Sequence, residues 1–267
     1  MLLPLIIVSL LGLSVGSFVN CLVWRLYRQE KVGGRSYCPL CGSQIAWYDN
    51  IPLLSYVLLG ARCRSCHRRI AWQYPAVELI TGLWFVFFFW QHLSFNWLTP
   101  EALLMLVGEP MFWVSLMRDW LAVAVFMVIF VFDARFYLVS NLVVIPAVIL
   151  FVLLNLILGA LWWSLLMTMA IAVAFFGIQF VLTRGRGLGE GDIWLGLLLG
   201  ALFPQLDLLI VAIFSAYIMG TIVGLGLIAA GRKSWGSKLP LGVFLALGAI
   251  LALSWGPELL AYYWGLF

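Results

Sequence analysis

The chain has 267 residues, 65% of them apolar and 10% charged, with a formal net charge of +4 at neutral pH. That balance excludes an ordinary water-soluble globular fold and predicts an all-α polytopic membrane protein. A modest positive charge carried in loops between apolar helices calls for no nucleic-acid partner.

A hydrocarbon layer about 30 Å thick takes roughly 20 apolar residues per helix, and the chain holds apolar stretches for about eight transmembrane helices. The first, residues 1–24, has no basic segment ahead of it and no small-residue cleavage site behind it, so it reads as a retained helix and not a removed signal. Further spans are expected near 76–90, 113–132, 138–158, 160–182, 193–203, 208–230 and 239–262. The stretch 193–203 is too short to cross alone. It must borrow the glycine-rich residues before it or be a broken helix buried in protein.

Lys and Arg accumulate in short cytoplasmic loops, which tests this count independently. Eight of the 15 basic residues (Arg25, Arg28, Lys31, Arg35, Arg62, Arg64, Arg68 and Arg69) lie between the first and second spans. Arg135, Arg184, Arg186, Arg232, Lys233 and Lys238 fall in alternate connections, and only Arg118 falls on the other side. The expected topology is therefore multi-pass in the inner (cytoplasmic) membrane, surrounded by lipid, with both termini outside. Three segments follow: 1–24, the first transmembrane helix; 25–74, a small cytoplasmic domain; and 75–267, the membrane core. The segment 91–110 carries Glu101 and Glu109 without Lys or Arg, as expected of an outer loop. Neither an internal repeat nor a low-complexity linker is visible, and oligomeric state is not legible.

The cytoplasmic segment contains Cys38-Pro39-Leu40-Cys41 and Cys63-Arg64-Ser65-Cys66, two C-x2-C pairs at a spacing close to that of zinc ribbons and knuckles. Four thiolates can close a tetrahedral structural zinc site and hold together a segment too small to build a core. Two disulfides are the alternative, but they do not persist in the reducing cytoplasm. Cys21 reads as a core residue. His67, beside Cys66, is a substitute ligand that four cysteines make unnecessary.

Charged groups near a bilayer are costly and usually functional. Glu78, Asp133, Glu190 and Asp192 are the acids expected at the inner membrane face. Asp133 ends the run Phe126-Met127-Val128-Ile129-Phe130-Val131-Phe132, and Asp192 ends Gly187-Leu188-Gly189-Glu190-Gly191. Peptide hydrolysis by carboxylates needs two of them sharing a proton, one to activate water and one to protonate the carbonyl and then the leaving amine. Gly189 and Gly191 are expected to permit backbone conformations closed to other residues and to let a substrate strand approach Asp192. Plainer readings are that Asp133 pairs with Arg135 and that Asp192 is the N-cap of the next helix. Glu190 occupies the variable position of the Gly-x-Gly-Asp pattern.

These residues resemble the type IV prepilin peptidases, the GxGD-type intramembrane aspartyl proteases. The resemblance is carried by Gly16-Ser17-Phe18-Val19-Asn20 with Arg25-Leu26, by Cys38-Pro39-Leu40-Cys41-Gly42, by Trp47-Tyr48-Asp49-Asn50-Ile51-Pro52-Leu53-Leu54-Ser55, by Tyr74-Pro75-Ala76-Val77-Glu78, and by the segments around Asp133 and Gly189-Glu190-Gly191-Asp192. Trp194 and Ser140-Asn141 depart from the family's usual Lys and Pro-Asp. The resemblance implies that Asp133 and Asp192 cut the basic leader of type IV prepilins or type II secretion pseudopilins at the cytoplasmic face. It implies also that the new N-terminus is methylated from S-adenosylmethionine, with the cytoplasmic domain and Glu78 linked to that reaction. A basic leader is not drawn by basic loops, so Glu190 and Glu78 are expected to attract it locally. The competing readings are a transporter or channel with an Asp133–Asp192 proton or cation path, and a structural membrane component whose zinc domain docks a partner.

Overall fold

A computed structural model of the protein describes residues 2–94, 108–234 and 236–265. All regular elements among these residues are helical, and they form two compact units, residues 1–108 and 109–267. Glu101 of the expected outer loop lies outside the described residues.

The first unit is built on two long helices, α1 (Leu2–Arg28) and α3 (Gln73–Ser94). A Cβ on Gly12 would lie 2.7 Å from Phe85 Cβ, and one on Gly16 would lie 2.7 Å from Glu78 Cα, so α1 and α3 run antiparallel at a separation only glycine allows. Between them a 3-10 turn (Trp47–Asn50) and the short helix α2 (Leu54–Leu58) accompany the cysteine segment. Two buried polar side chains tie this segment to the helices. Asn20 donates through Nδ2 to the Tyr74 carbonyl at 3.1 Å, and the Arg25 guanidinium donates to the carbonyls of Val32, Gly34 and Arg35.

The second unit contains α4 (Pro110–Phe136), α5 (Asn141–Ile157), α6 (Trp162–Leu182), α7 (Glu190–Leu202), α8 (Leu206–Ala229) and α9 (Leu241–Trp264). Every apolar stretch expected to be a span is a helix. Six helices are long and apolar enough to cross a membrane, α5 is a shorter seventh with 17 residues, and a four-cysteine cluster lies between α1 and α3.

Helix α7, with 13 residues, is the expected broken helix buried in protein. Leu195, Leu198, Leu199 and Leu202 are fully enclosed, and α7 packs on α5, α6 and α9. A helix that ends within packed protein leaves its last carbonyls without intrahelical partners. Side chains supply them: Asn155 Nδ2 donates to the carbonyls of Ala201 (2.8 Å) and Leu202 (3.1 Å), Thr168 Oγ1 to Gly200 (2.9 Å), and Ser164 Oγ to Pro204. Arg118 joins this end of the unit, donating to Asn155 Oδ1 and pairing with Asp119 at 2.8 Å. On α8, by contrast, Ile210, Phe214, Ile218 and Ile222 form an exposed stripe at four-residue spacing, the lipid-facing side of a span.

Candidate functional site

In the segment between α1 and α3 the two C-x2-C pairs fold as twin knuckles. In the first, Cys38 N–H donates to Ser43 O and Gly42 N–H to Cys38 O; in the second, Cys63 N–H donates to Arg68 O and His67 N–H to Cys63 O, all at 2.9 Å. Both turns are closed by a left-handed residue, Gly42 at φ 72° and His67 at φ 55°. The sulfurs of Cys38, Cys41, Cys63 and Cys66 lie within 4.8 Å of one another. Sulfurs about 2.3 Å from a tetrahedral zinc are about 3.8 Å apart, close to the 3.9 Å between Cys38 and Cys66. Hydrogen bonds from the Ser43 hydroxyl and backbone bring the Cys41 thiol down to about 6, toward the thiolate form that binds metal. The donor set therefore suits a metal ion, with His67 used for its backbone.

Glu78, on α3, is buried. Its Oε2 accepts the Leu53 N–H at 2.9 Å, and the Ser17 side chain hydrogen-bonds to it as well. This carboxylate fixes the start of α2, where Leu53 has φ 60°, and it is not exposed to attract a leader.

In the second unit Asp133 and Asp192 lie on different helices and come within electrostatic range of each other. Asp133, 6% exposed on the last turn of α4, turns its Oδ2 to the N-terminus of α9, where it accepts the Val243 N–H at 3.2 Å. Asp192 occupies the third position of α7, and its Oδ2 accepts the Gly189 N–H at 2.9 Å. Each carboxylate thus accepts a backbone N–H at the N-terminus of a helix. Gly242 marks where the two helices converge. A Cβ there would meet Asp133 Oδ2 at 2.8 Å and, one turn along α7 from Asp192, Leu195 Cδ1 at 3.1 Å.

Two plainer readings do not hold, and one expectation is corrected. Asp133 bonds to the α9 backbone and not to Arg135, whose guanidinium lies over the Phe136 ring. The N-cap of α7 is Gly189, with Asp192 three residues inside. Gly189 is extended at φ −85° and neither it nor Gly191 has a positive φ, so unusual backbone conformation is not their role. Gly191 is small because Val139 is there: a Cβ would lie 2.8 Å from Val139 Cβ. Glu190 is exposed at the first position of α7.

Sequence reasoning missed Val139, Gly242 and Val243. Pro240 just ahead of α9 signals a helix start, but nothing in the sequence says that this start faces Asp133. It missed Tyr217 too, which lies within electrostatic range of Asp192 and donates to Gln179 Oε1 at 2.9 Å.

Residues 10–92 match the family model of the bacterial peptidase A24 N-terminal domain, and residues 120–225 match that of the type IV leader peptidase family. The chain is similar to proteins named prepilin leader peptidase/N-methyltransferase. With that of Pseudomonas aeruginosa it shares 28% identity over 284 aligned positions, covering 95% of this chain and 91% of the relative. The Aeromonas salmonicida protein is 30% identical, with 96% and 92% covered. The Myxococcus xanthus protein is 35% identical, with 83% of this chain and 63% of the relative covered. No solved structure matches the chain.

Proposed function

Because the chain belongs to the type IV prepilin leader peptidase/N-methyltransferase family of peptidase A24, we propose that it cuts prepilin or pseudopilin leaders with Asp133 and Asp192 and methylates the N-terminus that cleavage exposes. The convergence of these two carboxylates on the N-terminal turns of α7 and α9 is the observation that carries the reading. Carboxylates within electrostatic range of each other ionise less readily together than alone, and in this reading the pair holds one proton between them. One draws a proton from water as the water attacks the scissile carbonyl. The other protonates that oxygen; the proton taken from water then passes to the leaving amine as the C–N bond breaks, and the ionised carboxylate recovers a proton from the gem-diol as the new carboxyl forms.

The site stands at the end of the second unit that carries Arg135, Lys233 and Lys238, and Lys233 lies over the Tyr137 ring. Basic residues mark the cytoplasmic side, which supports an inner-membrane protein with its active site toward the cytoplasm, both termini outside, and 25–74 as a cytoplasmic domain. A prepilin has its leader on that side and an apolar helix in the bilayer, so its scissile bond falls at this depth. A transporter or channel would carry acids at mid-membrane, and the Asp pair lies at the helix ends.

In 25–74, Cys38, Cys41, Cys63 and Cys66 would hold a structural zinc ion, with no part in the hydrolysis. S-adenosylmethionine would supply the methyl group. In this reading Glu78 supports methylation by fixing Leu53 and the loop before α2, so it acts through position and not by contact. Co-expression of a prepilin with wild type, Asp133→Asn or Asp192→Asn tests the peptidase. Each variant is expected to insert in the membrane and leave the prepilin uncut; normal processing by either removes that residue from the mechanism. Zinc analysis of the purified chain is expected to return about one ion per molecule, and Cys63→Ser to abolish it.

A further inference from the structure

We propose that the second knuckle presents a site for the phosphate of an anionic phospholipid, made by Arg62 and Arg69. These residues are partners in an antiparallel bridge. The hydrogen bonds Cys63 N–H to Arg68 O and Ile70 N–H to Ala61 O flank them, which makes them the closely spaced, non-hydrogen-bonded kind of pair. Cα atoms in such pairs are about 4.5 Å apart and the side chains leave the same face. Like charges directly opposite are destabilising there.

The turn itself does not require this repulsion, because the twin bridge in the first knuckle pairs Tyr37 with Gln44, both neutral. Nor is it relieved by a carboxylate among the described residues of the unit. Glu30 accepts from Tyr37 and pairs with Arg28, Asp49 is held by Arg64 at 2.6 Å, and Glu78 is committed to Leu53. Among the described residues, no carboxylate pairs with Arg62 or Arg69. Two arginines that leave the same face, with no described carboxylate partner, can close their guanidinium groups as a fork on a phosphate.

Both arginines line a surface cleft of about 570 Å³ together with Tyr56, Ile70 and Trp72. Trp72 is 77% exposed and immediately precedes α3, a membrane-length helix. Tryptophan at such a boundary sits at headgroup level. Val57 and Leu58 of α2, just before the cleft residues Gly60 and Ala61, are also largely exposed and apolar. A cationic fork bordered by apolar side chains at a span's edge fits a lipid headgroup with its glycerol and upper acyl carbons. A basic leader peptide, and a methyl donor carrying sulfonium and ammonium charges, would be repelled by the same two arginines.

The full-length protein, with its zinc, is to be placed in nanodiscs of phosphatidylcholine containing a minority of phosphatidylglycerol, and retained lipid counted by native mass spectrometry after release. Wild type is expected to retain phosphatidylglycerol selectively, and Arg62→Gln/Arg69→Gln to lose roughly tenfold of that retention with its zinc content unchanged. Arg28→Gln/Arg35→Gln, which removes equal charge elsewhere in the segment, is expected to retain it as wild type does. Equal retention by the Arg62/Arg69 variant, or equal loss in the control variant, overturns the site. Displacement of the lipid by millimolar inorganic phosphate would identify a soluble anion as the ligand and overturn the lipid assignment. None of these readouts depends on peptide cleavage, so failure here and failure of the proposed peptidase are separable.

Discussion

Asp133 Oδ2 accepts the Val243 N–H at 3.2 Å, joining the end of α4 to the beginning of α9 across more than a hundred residues of chain. The bond stands because Gly242 has no side chain: a Cβ there would lie 2.8 Å from the same oxygen. It explains why a proposed catalytic carboxylate at the end of an apolar helix has a single orientation.

Gly242→Val is therefore expected to push Asp133 off the α9 N-terminus while the membrane helices still form. Misplacing a reacting group by about 1 Å can cost on the order of a hundredfold in rate. Leader cleavage by purified enzyme, measured as kcat/KM, should fall by about that factor, with Gly242→Ala intermediate. Unchanged kinetics in Gly242→Val would detach this contact from catalysis.

Gly191 and Val139 form a second steric pair, and they invite a double-mutant cycle. Gly191→Ala alone should shift the first turn of α7, which carries Asp192, and lower cleavage by about tenfold. Adding Val139→Gly removes the obstructing atoms and should restore most of the loss. Additive losses in the double variant would indicate that space is not what Gly191 provides.

Exposed Glu190 is the acid next to the proposed site that remains available to a basic leader, since Glu78 is buried and bonded to Leu53. Reversing its charge should weaken encounter and binding without altering the reacting groups. For Glu190→Lys we expect KM for a basic-leader substrate to rise about three- to tenfold, kcat to hold, and the effect to shrink with added salt. A substrate with a neutralised leader should not distinguish the two enzymes, and equal KM values for the basic leader would count against the role.

At the other end of the second unit, Asn155 donates to both Ala201 O and Leu202 O. Asn155→Leu leaves these carbonyls short of a donor, and a buried polar group without its partner costs about 1–3 kcal/mol. Thermal unfolding in detergent should report a lower Tm for the variant, whereas Asn155→Asp should not restore it, because a carboxylate cannot donate. A wild-type Tm in Asn155→Leu would mean other groups cap α7.

Much of this was legible in the chain itself. Apolar runs marked the helices and two C-x2-C pairs marked the four-cysteine cluster, because each depends on residues close together in sequence. What Asp133 and Asp192 touch was not legible, for the opposite reason. Pairing with Arg135 is a local proposal, and the partner proved to be Val243. Gly189 and Gly191 looked like residues chosen for backbone freedom, yet the demand on Gly191 comes from Val139, a side chain some fifty residues away.

The order of residues alone thus determined which segments are apolar helices of membrane length, since the gain from burying apolar surface is summed locally. Folding in three dimensions decided what each carboxylate touches, which side chains cap the end of α7, and that Arg62 stands beside Arg69. Those outcomes depend on hydrogen bonds and contacts between distant helices and loops, which exist only once the segments have packed.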